Sequence, residues 1–234
     1  MTNPIIITID GPSGAGKGTV AYRLAEYFGF ELLDSGALYR IVGLLAHQEG
    51  LLNKTDETDE TLEDKLATFT KSLKLSFLPN PTAKTVEILV DNQLLQQDIR
   101  NEVVGGYASQ VAVFPKVRTA LLDLQKNIAQ EKAGLVADGR DMGTVVFPDA
   151  SAKVFLTASA QTRANRRVMQ LQNLGKVADY EAILADIVAR DERDENRVAA
   201  PSRPALDAYV IDSSNKSADE VFDEILSFIK AKLS

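Results

Sequence analysis

Pro4-Ile5-Ile6-Ile7-Thr8-Ile9-Asp10 runs directly into Gly11-Pro12-Ser13-Gly14-Ala15-Gly16-Lys17-Gly18-Thr19, and this join decides the fold. The first segment is a continuous apolar run ending in Gly-Pro, the pattern of a strand buried on both faces of a parallel sheet. From Gly16 to Phe28, the residues Val20, Leu24 and Phe28 recur every fourth position, which predicts a helix packed back on that strand. A glycine-rich loop between strand and helix suits phosphate. Glycines let successive N–H groups converge on an anion, the helix N-terminus adds a favourable dipole, and Lys17 reaches the outer phosphate oxygens. Gly18 stands where a magnesium-binding Ser or Thr usually follows the lysine, and Thr19 comes one position late. That departure argues against a GTPase or a motor ATPase.

Outward from the loop, strand and helix alternate. Leu32 to Asp34 reads as a short strand followed by a helix through Ala46, and 53–65 is an acidic, Thr-rich stretch read as a boundary. Leu73 to Leu78 and Thr85 to Val90 read as strands, with Asp91-Asn92 turning into Gln93 to Leu95. Pro115 to Lys132 is a long amphipathic helix ended near Gly134, before a core strand over Leu135 to Asp138. Lys153 to Leu156 is another strand, and 159–197 is a pair of helices broken at Gly175. Tyr209 to Asp212 is the last strand, and Ser217 with Glu220 starts the final helix as a capping box. The fold class is α/β, a parallel sheet wrapped by helices with two insertions.

Composition narrows the function. The 234 residues include 45% hydrophobic positions, enough for a large core, and no cysteine, which excludes disulfides and thiolate metal sites. His47 is the one histidine, too few for a histidine-based metal cluster. No stretch approaches the roughly 20 apolar residues of a membrane span, and the N-terminus lacks the basic region of a signal peptide. The net charge of −7 argues against a nucleic-acid surface, yet Arg163, Arg166, Arg167, Arg190, Arg193, Arg197 and Arg203 concentrate in the last third. Local arginine clusters on an acidic protein fit a small anionic ligand. Asn53-Lys54-Thr55-Asp56 matches a guanine-reading pattern, but it lies too early in the chain and lacks an accompanying Asp-x-x-Gly, so it reads as a chance match.

Four further blocks carry a family resemblance. They are Asp34-Ser35-Gly36-Ala37-Leu38-Tyr39-Arg40, then Ala108-Ser109-Gln110-Val111-Ala112 with Arg118 downstream, then 138–148 beginning Asp138-Gly139-Arg140-Asp141, and finally 190–197 from Arg190 through Asp194 to Arg197. Together with the phosphate loop they resemble the cytidylate (CMP) kinase family, in its bacterial long form with an extended CMP-binding insertion. The fold implied is that of a P-loop nucleoside monophosphate kinase. Its core would take 1–64, 105–158 and 198–234, the CMP-binding insertion 65–104, and a helical lid 159–197.

The activity implied is transfer of the γ-phosphoryl group of ATP to CMP or dCMP. UMP or AMP is the alternative acceptor. By resemblance, Ser35, Arg40, Arg140, Arg190 and Arg197 handle the sugar and phosphate of CMP, and Asp194 the ribose hydroxyls. Ser109, Arg118 and Asp141 read the cytosine edge. Residue chemistry agrees, since the planar fork of arginine suits a phosphate and an acidic acceptor suits the exocyclic amine of cytosine. Arg190, Asp194 and Arg197 fall at i, i+4 and i+7, on one helix face. Arg40 and Arg140 are expected in loops at the carboxyl edge of the sheet. Gly11, Pro12, Ser13, Gly14, Ala15, Gly16, Lys17, Gly18 and Thr19 take the ATP phosphates. Lys17, Arg140, Arg190, Arg197 and Arg166 are the expected catalytic group. Magnesium is expected to arrive with ATP, keeping most of its waters, without dedicated protein ligands. A cytoplasmic monomer without nucleic-acid or membrane partners completes the expectation.

Overall fold

The computed structural model describes residues 4–53, 59–80, 85–99, 101–130, 132–196 and 200–234. In chain order the elements are β1 (Ile5–Asp10), α1 (Lys17–Phe28), β2 (Glu31–Asp34), α2 (Ser35–Gln48), α3 (Asp59–Ser72), β3 (Leu75–Asn80), β4 (Thr85–Val90), β5 (Gln93–Leu94), α4 (Glu102–Val111) and α5 (Pro115–Gln130). They continue with β6 (Gly134–Gly139), β7 (Ala152–Thr157), α6 (Ala160–Asn173), α7 (Tyr180–Asn196), β8 (Tyr209–Asp212) and α8 (Ala218–Leu233). The chain divides into two compact units, one of 1–33 with 132–234 and one of 34–131.

The first unit is built on the main sheet, in the order β2-β6-β1-β7-β8. β1 lies parallel to β6 on one side and to β7 on the other, and β7 lies parallel to β8. Thr8, on the opposite face of the strand from Ile7 and Ile9, is 0% exposed as they are, so both faces of β1 are covered there, which is why its sequence is apolar without alternation. Ile7 and Ile9 are fully buried, among Val20, Leu24, Val136, Val154, Leu156, Ile225 and Ile229. Helix α1 supplies Val20 and Leu24 from the stripe seen in sequence. Helix α8 starts at the expected capping box, with the Ser217 and Glu220 side chains each meeting the other's backbone N–H. Because the strands are parallel, Asp10, Gly139, Thr157 and Asp212 all end at one edge of the sheet. The loops leaving them share that edge.

The second unit packs α2 against α4 and carries a small antiparallel sheet, β3-β4-β5. Its buried centre is Ala37, Ile41, Leu44, Ile99 and Val104. Gly43 makes the close approach possible, since a Cβ there would stand 2.6 Å from the Tyr107 carbonyl carbon. His47 stacks on Tyr107 with ring centroids 4.1 Å apart.

Three departures from the sequence reading have physical causes. The boundary placed over 53–65 overlaps α3, whose largely charged outer face hides a buried side with Leu66, Ala67 and Thr70. Helix α4 carries the consecutive glycines Gly105 and Gly106, poor helix formers that tertiary packing overrides. Strand β3 lies two residues later than the apolar run suggested, because its register with β4 pairs Leu75 with Val90 and Asn80 with Thr85. Residues 54–56 of the guanine-like motif lie outside the described residues. Among the described residues no helix is long and apolar enough to cross a membrane.

Candidate active site

In the first unit the loop from Gly11 to Gly16 leaves the C-terminal end of β1 and enters α1 through Gly16, in the left-handed region at φ 99°. Gly11 is irreplaceable on two counts. Its φ is 141°, and a Cβ would sit 1.9 Å from the Leu156 carbonyl oxygen. Three consecutive loop carbonyls each accept from a different cation. Arg140 Nη1 donates to Gly11 O at 2.9 Å, Lys17 Nζ to Pro12 O at 3.0 Å, and Arg163 Nη1 to Ser13 O at 3.1 Å. Ala15 O accepts from the Ser213 hydroxyl at 3.2 Å and, more distantly, from Arg166 Nη1 at 3.4 Å. Cations on the carbonyl side hold the peptide dipoles so that N–H groups are left for an anion. Lys17 is buried, and its Nζ also stands 3.8 Å from Asp138 Oδ1 at the end of β6.

Arg140 follows β6 directly, as expected, and its Nε donates to Asp194 Oδ2 on α7 at 2.8 Å. Two residues assigned from sequence to one substrate thus meet each other. Asp141 is buried and opens a π-helical turn over Met142–Val146. That turn is anchored by Asp10, whose two carboxylate oxygens accept from Met142 N at 2.8 Å and Gly143 N at 2.7 Å. Burial pushes the Asp10 carboxyl up to about 6, against the pull of those two N–H groups and of Lys17, with Asp141 adding to the rise. Arg190 is half-buried on α7, while Arg197 lies outside the described residues. Arg166, expected on the transferring phosphoryl group, donates to Ser213 O at 2.7 Å and Ser213 Oγ at 3.1 Å, beyond the end of β8.

The second unit holds the remaining residues expected from sequence at the acceptor. Ser35 is the buried first residue of α2. Arg40 lies within α2 rather than in a loop, a correction to the sequence reading, because Asp34 caps the helix already at the strand's end by accepting from Ala37 N at 2.9 Å. Its Nη1 donates to Ile99 O at 2.8 Å and Asn101 O at 2.9 Å, just ahead of α4. Ser109 Oγ donates to Gly105 O at 3.1 Å, and the Arg118 guanidinium lies 5.7 Å from the Tyr39 ring centroid.

Sequence reasoning gave no individual role to Asp10, Asp138, Arg163 and Ser213, Arg163 having been counted only among the clustered arginines. The first two end strands that flank or precede the loop, a signal that was present. The other two depend on partners far along the chain and leave no spacing signature. Among the described residues no group of three or more His, Cys, Asp or Glu side chains could cage a metal. A lone carboxylate such as Asp138 beside Lys17 does fit a hard cation that comes mostly hydrated and bound to phosphate.

The family model described as cytidylate kinase matches residues 7–231. A cytidylate kinase of Pasteurella multocida is 50% identical over 233 residues, covering 100% of this chain and 98% of its own. A second, from Acinetobacter baylyi, is 51% identical over 224 residues, covering 96% of each chain. The solved structure of an uncharacterized protein from Eubacterium ventriosum superposes with a TM-score of 0.52 at 15% identity, covering 98% of this chain and 99% of that one, a likeness of fold alone. With a family match over almost its whole length and relatives at half identity, the chain belongs to the cytidylate kinase family.

Proposed function

We propose that this chain transfers the γ-phosphoryl group of ATP to CMP or dCMP, yielding ADP and CDP or dCDP. The observation that carries this reading is the phosphate loop, with the carbonyls of Gly11, Pro12 and Ser13 each held by a cation. An acceptor phosphate is already an anion and needs no general base. Catalysis is then positioning and charge neutralisation during in-line transfer. Residues 11–19 bind the ATP phosphates, and Lys17 leaves Pro12 O for the phosphate oxygens.

Arg140, Arg190 and Arg197 take the charge on the acceptor side, and Arg166 serves the ATP side. Ser35 and Arg40 hold the CMP sugar and phosphate, and Asp194 the ribose hydroxyls. Ser109, Arg118 and Asp141 read the cytosine edge. The Arg140–Asp194 pair separates when CMP offers Arg140 a phosphate and Asp194 a hydroxyl. Mg2+ supplies charge neutralisation when bound with ATP, and Asp138 is the carboxylate suited to hold its hydration shell.

Residues 65–104 form the CMP-binding insertion and 159–197 the lid, whose closure excludes water and suppresses wasteful ATP hydrolysis. The enzyme works in the cytoplasm as a monomer. Arg118→Ala tests the base-reading assignment by steady-state comparison of CMP with UMP. The ratio of their kcat/KM values should fall by roughly 10-fold or more, the scale of a buried polar group left unpaired. An unchanged ratio would remove Arg118 from base reading.

A further inference from the structure

Arg163 is buried, 4% exposed, on the first turn of α6. Its Nε donates to Ala158 O at 2.9 Å, at the end of β7. Its Nη1 donates to Ser13 O of the phosphate loop at 3.1 Å and to Asp191 Oδ1 at 3.0 Å, and its Nη2 to Asp191 Oδ2. One guanidinium therefore ties the sheet edge, the phosphate loop and α7 together, through a bidentate pair that directs both bonds at once. Its Cβ also lies close under the loop, 3.3 Å from where a Cβ on Gly14 would be.

Asp191 sits next to Arg190 and one turn before Asp194. The same stretch of α7 makes a second tie to the loop, from Asp194 through Arg140 to Gly11 O. The two ties differ in kind. The side chains of Arg140 and Asp194 are 19% and 23% exposed and open to a substrate, whereas the Arg163 side chain is 4% exposed, its partner Asp191 18%, and all three guanidinium nitrogens of Arg163 already donate to protein. We propose that Arg163 and Asp191 are positioning residues for phosphoryl transfer: they form a permanent mount that sets Arg190 and Asp194 against the phosphate loop, while the Arg140–Asp194 pair is the exchangeable tie. The proposal rests on the assignment of Arg190 and Asp194 to the acceptor.

The test uses the full chain carrying Asp191→Asn, Arg163→Lys or both. It reads kcat, KM for ATP and CMP, ATP hydrolysis without CMP, and melting temperature. A misplaced mount should lower transfer kcat by roughly 10- to 100-fold, and by more than it lowers CMP-independent hydrolysis. The double variant should be no slower than the worse single one, because both break one tie. A transfer kcat within twofold of the wild type for either single variant, at a temperature where it is folded, overturns the mount even if the melting temperature falls. Arg163→Lys keeps the charge and decides the matter should Asp191→Asn not fold. Arg190→Ala and Asp194→Ala separate the two levels. If they leave kcat/KM for CMP unchanged, the acceptor assignment fails; if they lower it while the mount variants stay normal, only the mount fails.

Discussion

The phosphate loop and the second unit both settle their arginines on backbone carbonyls, but the division of roles is reversed. In the loop the carbonyls of Gly11, Pro12 and Ser13 belong to the binding element and are held by Arg140, Lys17 and Arg163, the first two of which are also proposed to meet phosphate themselves. In the second unit the carbonyls of Ile99 and Asn101 are the support, and Arg40, which they hold, is the residue proposed to meet the acceptor. Removing a cation in the first region deforms a site. Removing one in the second deletes a contact.

The largest expected effect follows from the first case. Lys17→Ala should lower kcat about 10³-fold, roughly 4 kcal/mol of transition-state stabilisation, with little change in fold. A variant within 10-fold of the wild type would break the comparison at its strongest point. Next come two glycines that admit backbone from elsewhere. Gly11→Ala combines positive φ with a clash against Leu156 O, and should cost about 3 kcal/mol or more. Gly43→Ala meets the Tyr107 backbone without φ strain and should cost about 2 kcal/mol. Denaturant midpoints in the reverse order would mean that the second unit packs more rigidly than the loop.

Asp10 gives a pH signature of the first region. Its folded carboxyl titrates at about 6, above the ordinary 3.8, so the folded chain holds this proton more tightly than the unfolded one. The stabilisation is fully present below about 4 and is lost as pH rises through about 6, by at most about 3 kcal/mol. Asp10→Asn removes it, so wild-type stability relative to this variant should rise on acidification from 6 to 4. A flat difference would contradict the burial argument. The smallest effect belongs to the second region. Arg40→Ala should lower kcat/KM for CMP roughly 10- to 30-fold, the worth of one charged hydrogen-bonding group, and leave KM for ATP unchanged.

The same contrast governs what was legible in the sequence. β1, the loop and α1 could be read because local pattern and tertiary role coincide. Ile7 and Ile9 are apolar since both faces are covered, and Val20 and Leu24 keep helical period. The capping box at Ser217 was readable for the same reason. Helices α3 and α4 were not, because their stability comes from packing rather than propensity, with Leu66 buried under a largely charged face and Gly105 held beside the Arg40 guanidinium. In the site, Lys17 and Arg140 stood in recognisable motifs. The Arg163–Asp191 pair spans 28 positions on two helices, a separation that no spacing rule connects.

The central claim is tested most directly by ADP release from the wild-type chain with ATP and Mg2+, offered CMP, dCMP, UMP or AMP in parallel. Fast turnover with CMP and dCMP, and at least 10-fold lower kcat/KM with UMP and AMP, is the result predicted. Equal or faster turnover with UMP or AMP would contradict the cytosine-reading assignment, and ADP release independent of any acceptor would contradict the kinase itself.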